Sequence, residues 1–133
     1  MNAIPANETA RPDGAFPEGH GVEITRYLSP ARGALISVRD LGETWALEPG
    51  GEWRRIRIKK PDVPLEKWRG DKLAAIEAKI PWWARDVQRL PSLHELEDWQ
   101  FDGGCESVTG DWVEPDGHGP DGAPSWLIAL GMI

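Results

Sequence analysis

Residues 53–80 read WRRIRIKKPDVPLEKWRGDKLAAIEAKI, and a change of period inside this stretch decides the fold. Its opening part alternates. Ile56 and Ile58 fall on one side, and Trp53, Arg55, Arg57 and Lys59 on the other, as side chains do along a strand. Beyond the prolines at 61 and 64, Leu65, Trp68, Leu73, Ile76 and Ile80 recur at roughly helical spacing. Gly70 is expected to split this run, with Asp71 capping a helix over KLAAIEAKI that Pro81 stops.

Upstream of this switch the chain is β-prone. GVEITRYL (21–28), GALISVRDL (33–41) and ETWALE (43–48) read as three strands. They are separated by the turn chemistry of SPARG and followed by EPGGE, a Pro-Gly-Gly connection that predicts a hairpin into the basic strand. Downstream the chain is helical. WWARDVQRL (82–90) offers a turn or two behind Pro81, and PSLHELEDW (91–99) places Ser92 and Glu95 at capping-box spacing. APSWLIALGMI (123–133) offers Ser125 as a cap and Gly131 as a stop. Strands first and helices second predict an α+β domain over residues 21–133. An antiparallel sheet of three or four strands is expected, with short helices and the C-terminal segment packed on one face. Residues 1–20, with prolines at 5, 12 and 17 and no periodicity, are expected to form a mobile tail.

Composition narrows the function classes. The 133 residues suit one domain with a single core. One cysteine, Cys105, closes no intramolecular disulfide, and no apolar run approaches the ~20 residues of a membrane helix. A cytoplasmic protein with no membrane contact is therefore expected. Eight tryptophans against one tyrosine point to an indole-rich core, and any ring left exposed suits a binding surface.

Charge is segregated. Residues 52–85 carry ten basic and five acidic side chains, whereas residues 86–133 carry one basic and ten acidic. The basic strand is the stronger functional candidate. Trp53, Arg55, Arg57, Lys59 and Arg69, with Lys67 and Lys72 nearby, combine cations with an indole, the grip by which phosphates and stacked bases of single strands are held. The competing reading is that this face covers its apolar stems with solvated heads, or meets the chain's own acidic end.

The terminal stretch DWVEPDGHGPDGAPSW (111–126) poses the other question, a metal site or a set of turns. EPDG and GPDG are both Pro-Asp-Gly turns, and RPDG at 11–14 repeats the pattern. A metal reading collects Cys105, Asp116 and His118, with His94, Asp102, Glu106, Asp111 and Glu114 nearby. Yet no paired short ligand spacing is present, and neither are the acid positions of an EF-hand. GxxxxGK[ST], GxGxxG and HExxH are also missing, so no cofactor is expected and an enzyme is the lesser expectation.

The ending FDGGCESVTGDWVEPDGHGPDGAPSWLIALGMI resembles the C-terminal block of small bacterial and phage-type proteins that close with Glu-Pro-Asp-Gly, Pro-Ser-Trp-Leu and Leu-Gly. No activity is attached to that group. Its members carry further Cys and His residues between the turn and the Pro-Ser-Trp, where this chain has Gly119, Asp121 and Ala123. The resemblance implies a mobile-element accessory protein. Taken together, these features favour a non-enzymatic protein that binds another macromolecule, most simply another protein. Single-stranded nucleic acid through residues 53–60 is the alternative, and a metal-dependent enzyme built on residues 102–121 is the third.

Overall fold

The computed structural model describes residues 16–133. The expected tail at 1–20 lies outside these residues up to position 15; from Phe16 onward the chain makes contacts, described below. Four antiparallel strands, β1 (Glu23–Ser29), β2 (Ala34–Arg39), β3 (Glu43–Leu47) and β4 (Arg54–Ile58), pair in chain order. Helix α1 (Leu65–Lys79), a 3-10 turn (Trp82–Ala84) and helix α2 (Leu93–Asp102) follow. A two-stranded ribbon, β5 (Cys105–Glu106) with β6 (Trp112–Val113), and the short helix α3 (Trp126–Ala129) complete the α+β architecture.

Local chemistry accounts for the connections. In Glu48-Pro49-Gly50-Gly51 the Gly51 amide reaches the Glu48 carbonyl at 3.0 Å. Gly50 sits at φ +74°, the left-handed third position of a type II turn behind proline. The capping box at Ser92 and Glu95 forms in both directions, at 3.1 Å each way. Ser125 caps α3, and Gly131 at φ +72° ends it as Met132 N–H bonds back to the Leu127 carbonyl.

Two local expectations give way. Gly70 does not split α1, which runs unbroken from Leu65 with Pro64 at its N-cap, and Asp71 lies mid-helix paired with Lys67 at 3.1 Å. A mid-helix glycine costs only about 1 kcal/mol. The stripe Leu65, Trp68, Lys72 and Ile76 resting on the sheet offsets that. Behind Pro81, a single 3-10 turn forms rather than a longer helix. There Arg85 folds back to donate to the carbonyls of Glu77 and Ile80, at 2.9 Å each, and caps the C-terminus of α1.

Both faces of the sheet are covered. On one, Leu28, Leu35, Trp45, Leu47 and Trp53 pack with Leu90, Leu96, Trp99, Cys105, Trp126 and Leu127. On the other, Ala34, Ile36, Val38 and Ala46 pack with Trp68 of α1, flanked by Ile24, Tyr27, Ile56 and Ile76. Every residue of β2 is buried as a result. The helices thus divide: α2 and α3 join the C-terminal segment on one face, and α1 takes the other. Five tryptophans (45, 53, 68, 99 and 126) belong to the two cores, whereas Trp82 and Trp112 are exposed.

Candidate functional site

The terminal loop is built of turns. Gly117 N–H bonds to the Glu114 carbonyl at 2.8 Å, closing EPDG, and Gly122 N–H bonds to the Gly119 carbonyl at 3.0 Å, closing GPDG. Asp121 accepts from the Ala123 amide at 3.0 Å and from the Thr109 hydroxyl at 2.6 Å. These bonds hold its carboxyl below the usual aspartate range. Ser125 is fully buried; its Oγ accepts the Ile128 amide and donates to the Pro115 carbonyl, tying the EPDG turn to the start of α3.

The residues of the metal reading are dispersed by this arrangement. Cys105 is buried in the core, whereas Asp116 and His118 lie exposed on the loop. His118 forms a bridge with Pro124 through its backbone. Among the described residues, no three His, Cys, Asp or Glu side chains are grouped so as to hold a metal ion. Burial pushes the Cys105 thiol up, against hydrogen bonding from the Leu127 and Trp126 amides; the Glu106 carboxylate pushes the same way as burial.

The basic strand is also rearranged. Thr44 pairs with Arg57, and its neighbour Trp45 with Arg55, so Ile56 is an extra residue in a β-bulge. Alternation is broken there, and the two arginines leave the shared face that the sequence predicts. Arg55 turns to the α2 face and donates to Glu43 at 3.0 Å. Arg57 turns to the α1 face beside Tyr27, Thr44 and Lys72. Trp53 is 9% exposed, packed in the α2-side core beneath the Arg26 guanidinium at 5.1 Å. Arg69 is exposed on α1.

The split leaves a groove of about 660 Å³ between β4 and α1. Arg57, Lys59, Lys60 and Lys72 edge it; Ile58, Val63, Trp68 and Ala75 supply its apolar wall. Its one acid, Asp71, is engaged by Lys67. Burial lowers the Lys72 ammonium below the usual lysine range, and neighbouring Arg57 adds to this. Lys60 is not among the cations that the sequence gathers, whereas Lys72 is, beside the strand. The helical position of Lys72, seven after Leu65 and four before Ile76, is the signal that placed it against the sheet.

At the opposite corner lies a network that pattern reading missed. Glu43 Oε1 accepts from Trp45 Nε1 and contacts His20 Nδ1, both at 2.9 Å, while Oε2 takes Arg55. Burial acts to raise the Glu43 carboxyl, but the bonds from Trp45, Arg55 and His20 outweigh it and hold the group low. Glu23 receives the Ser37 hydroxyl at 2.6 Å and Arg26 at 2.9 Å. Phe16 packs into this corner with its ring edge-on to Trp45 at 4.9 Å and tilted against Trp53 at 5.2 Å, and the Arg39 guanidinium lies 3.9 Å above its ring. The contacted part of the chain therefore begins ahead of residue 21. Among the described residues, Phe16 fills the space between the Trp45 and Trp53 rings and the Arg39 guanidinium.

Comparison with protein-family models, with curated proteins and with solved structures finds no match to this chain.

Proposed function

We propose that this is a cytoplasmic, non-enzymatic binding protein that takes an acidic segment of a partner protein in the groove between β4 and α1. The observation that carries the reading is the lining of that groove, with four cations against one acid, itself engaged by Lys67, above an apolar wall. Such a lining suits an extended segment that mixes carboxylates with aliphatic side chains. A protein segment is favoured over a nucleic acid because single strands are held by stacking as well as charge. Trp53 of the basic strand and Trp68 of the groove wall are 9% and 8% exposed, so neither offers a ring face to a base in the groove. The single cysteine, free and buried, suits a reducing compartment. The turn and capping duties of Asp121 and Ser125 weigh against reading the terminal loop as a reaction centre.

Calorimetric titration with a Glu/Leu-rich peptide and with an oligothymidylate of equal charge, at low and at moderate salt, tests this. Saturable peptide binding that the double reversal Lys59→Glu/Lys60→Glu abolishes is expected. Tighter binding of the oligonucleotide would favour the nucleic-acid alternative, and binding of neither ligand at low salt would refute both.

A further inference from the structure

Beneath the groove, on the α1 face of the sheet, a smaller pocket of about 70 Å³ is bordered by Arg32, Arg57 and Lys72 together with the side chains of Tyr27, Ser29 and Thr44. Three cations converge there and no acid lines it. Among the described residues, none of the three makes an ion pair. Thr44 carries the second, independent observation. It is 4% exposed, and its Oγ1 is shielded from water with no hydrogen-bond partner among the described residues. A buried hydroxyl without a partner is costly to a fold and is rarely left so unless something else satisfies it.

We infer that this pocket is a binding site for a phosphate-class oxyanion, either the free ion or a phosphomonoester. Size and chemistry converge on that class. The space equals about two waters at roughly 30 Å³ each, on the scale of one tetrahedral oxyanion. Three positive side chains call for more than one negative charge, which a phosphomonoester carries and a carboxylate or a diester does not. The hydroxyls of Tyr27, Ser29 and Thr44 add donors that several anionic oxygens can accept together. Lys72 is held low by burial and by Arg57, and Tyr27 is raised by burial against the pull of Arg32 and Arg57. A bound dianion relieves the crowding of like charges that the empty pocket contains. The site goes beyond the proposed groove partner; the two share Arg57 and Lys72 but take different ligands.

The test is an amide-shift NMR titration of the full chain with inorganic phosphate, repeated with acetate and with a phosphoserine peptide. Phosphate is expected to shift the amides of Tyr27, Thr44 and Arg57 saturably, with acetate much weaker. Thr44→Val keeps the shape of the side chain, so the denaturation midpoint holds or rises while phosphate affinity falls roughly tenfold, the worth of one charge-assisted hydrogen bond. Lys72→Met is expected to weaken phosphate by at least as much and serves where Thr44→Val does not fold. Tighter binding of the phosphoserine peptide than of the free ion identifies a modified protein as the source, and the reverse identifies the ion. No saturable shift at tens of millimolar phosphate, or equal affinity in the wild type and in both folded variants, overturns the inference. Thr44 does not line the outer groove, so Thr44→Val leaves acidic-peptide binding intact; loss of peptide binding with phosphate binding retained counts against the groove alone.

Discussion

Replacing Ser125 by alanine removes two duties at one atom. Its Oγ caps α3 through the Ile128 amide at 3.1 Å and holds the Pro115 carbonyl of the EPDG turn. Loss of a serine N-cap costs about 1 kcal/mol. Stranding the carbonyl adds about 1–3 kcal/mol when the acceptor is fully buried. Pro115 is only half-buried, so water reaches part of it and the lower end of that range applies. The expected total is about 2–3 kcal/mol, a substantial fraction of the ~5–15 kcal/mol that stabilises a typical domain. Because Ser125 is fully buried and alanine fills nearly the same space, no cavity term enters. The assay is urea unfolding followed by tryptophan fluorescence, with Trp126 next to the substitution as the reporter. The midpoint should fall with an unchanged slope. A parallel His118→Ala or Asp116→Ala variant, exposed on the same loop, should stay within about 0.5 kcal/mol of the parent. If Ser125→Ala costs less than about 0.5 kcal/mol while Asp116→Ala and His118→Ala cost several, the loop is not held by its capping serine. The turn account of DWVEPDGHGPDGAPSW would then be wrong.

Three further outcomes are expected. Gly70→Ala should stabilise the protein by about 1 kcal/mol in the same assay, since a Cβ there meets open space within an unbroken helix; destabilisation would mean α1 is interrupted. Glu43 titrates below its ordinary value in the folded state, so the stability it contributes is complete above that value and is lost as pH falls through the lowered one. Between about pH 5 and pH 3 the parent should therefore lose stability more steeply than Glu43→Gln, and parallel curves would contradict the network at that corner. Cys105, buried and raised, should react with a thiol-specific disulfide reagent only at the rate of global opening, so labelling that is fast in native buffer and indifferent to urea would exclude the burial described.

The switch from alternating to helical spacing across residues 53–80 carried the α+β order, and the capping box at Ser92, the Pro-Gly turn at 48–51 and the stop at Gly131 all formed where residue types placed them. Each of these rests on hydrogen bonds spanning a few positions, so the chain within that span already contains both partners. The Pro-Asp-Gly turns belong to the same class. Even the two-sided burial of β2 had a trace in the sequence, since Ala34-Leu35-Ile36-Ser37-Val38 lacks the polar alternation of a half-wet strand.

Where the chain meets distant parts of itself, the tertiary structure decided instead. A bulge at Ile56 exists only in register with Thr44 and Trp45, and that single extra residue sends Arg55 and Arg57 to opposite faces. Phe16 finds its place only once Trp45, Trp53 and Arg39 have been brought together by the ladder. Thr44, one threonine among β-prone residues in the sequence, becomes a hydroxyl without a partner among the described residues, beside three cations, because β3, β4 and α1 close over it. The physical reason is the same in each case. Side-chain alternation is a property of one strand, but the face a side chain reaches, and what waits there, depends on how strands from separate stretches of the chain align and on what packs over them.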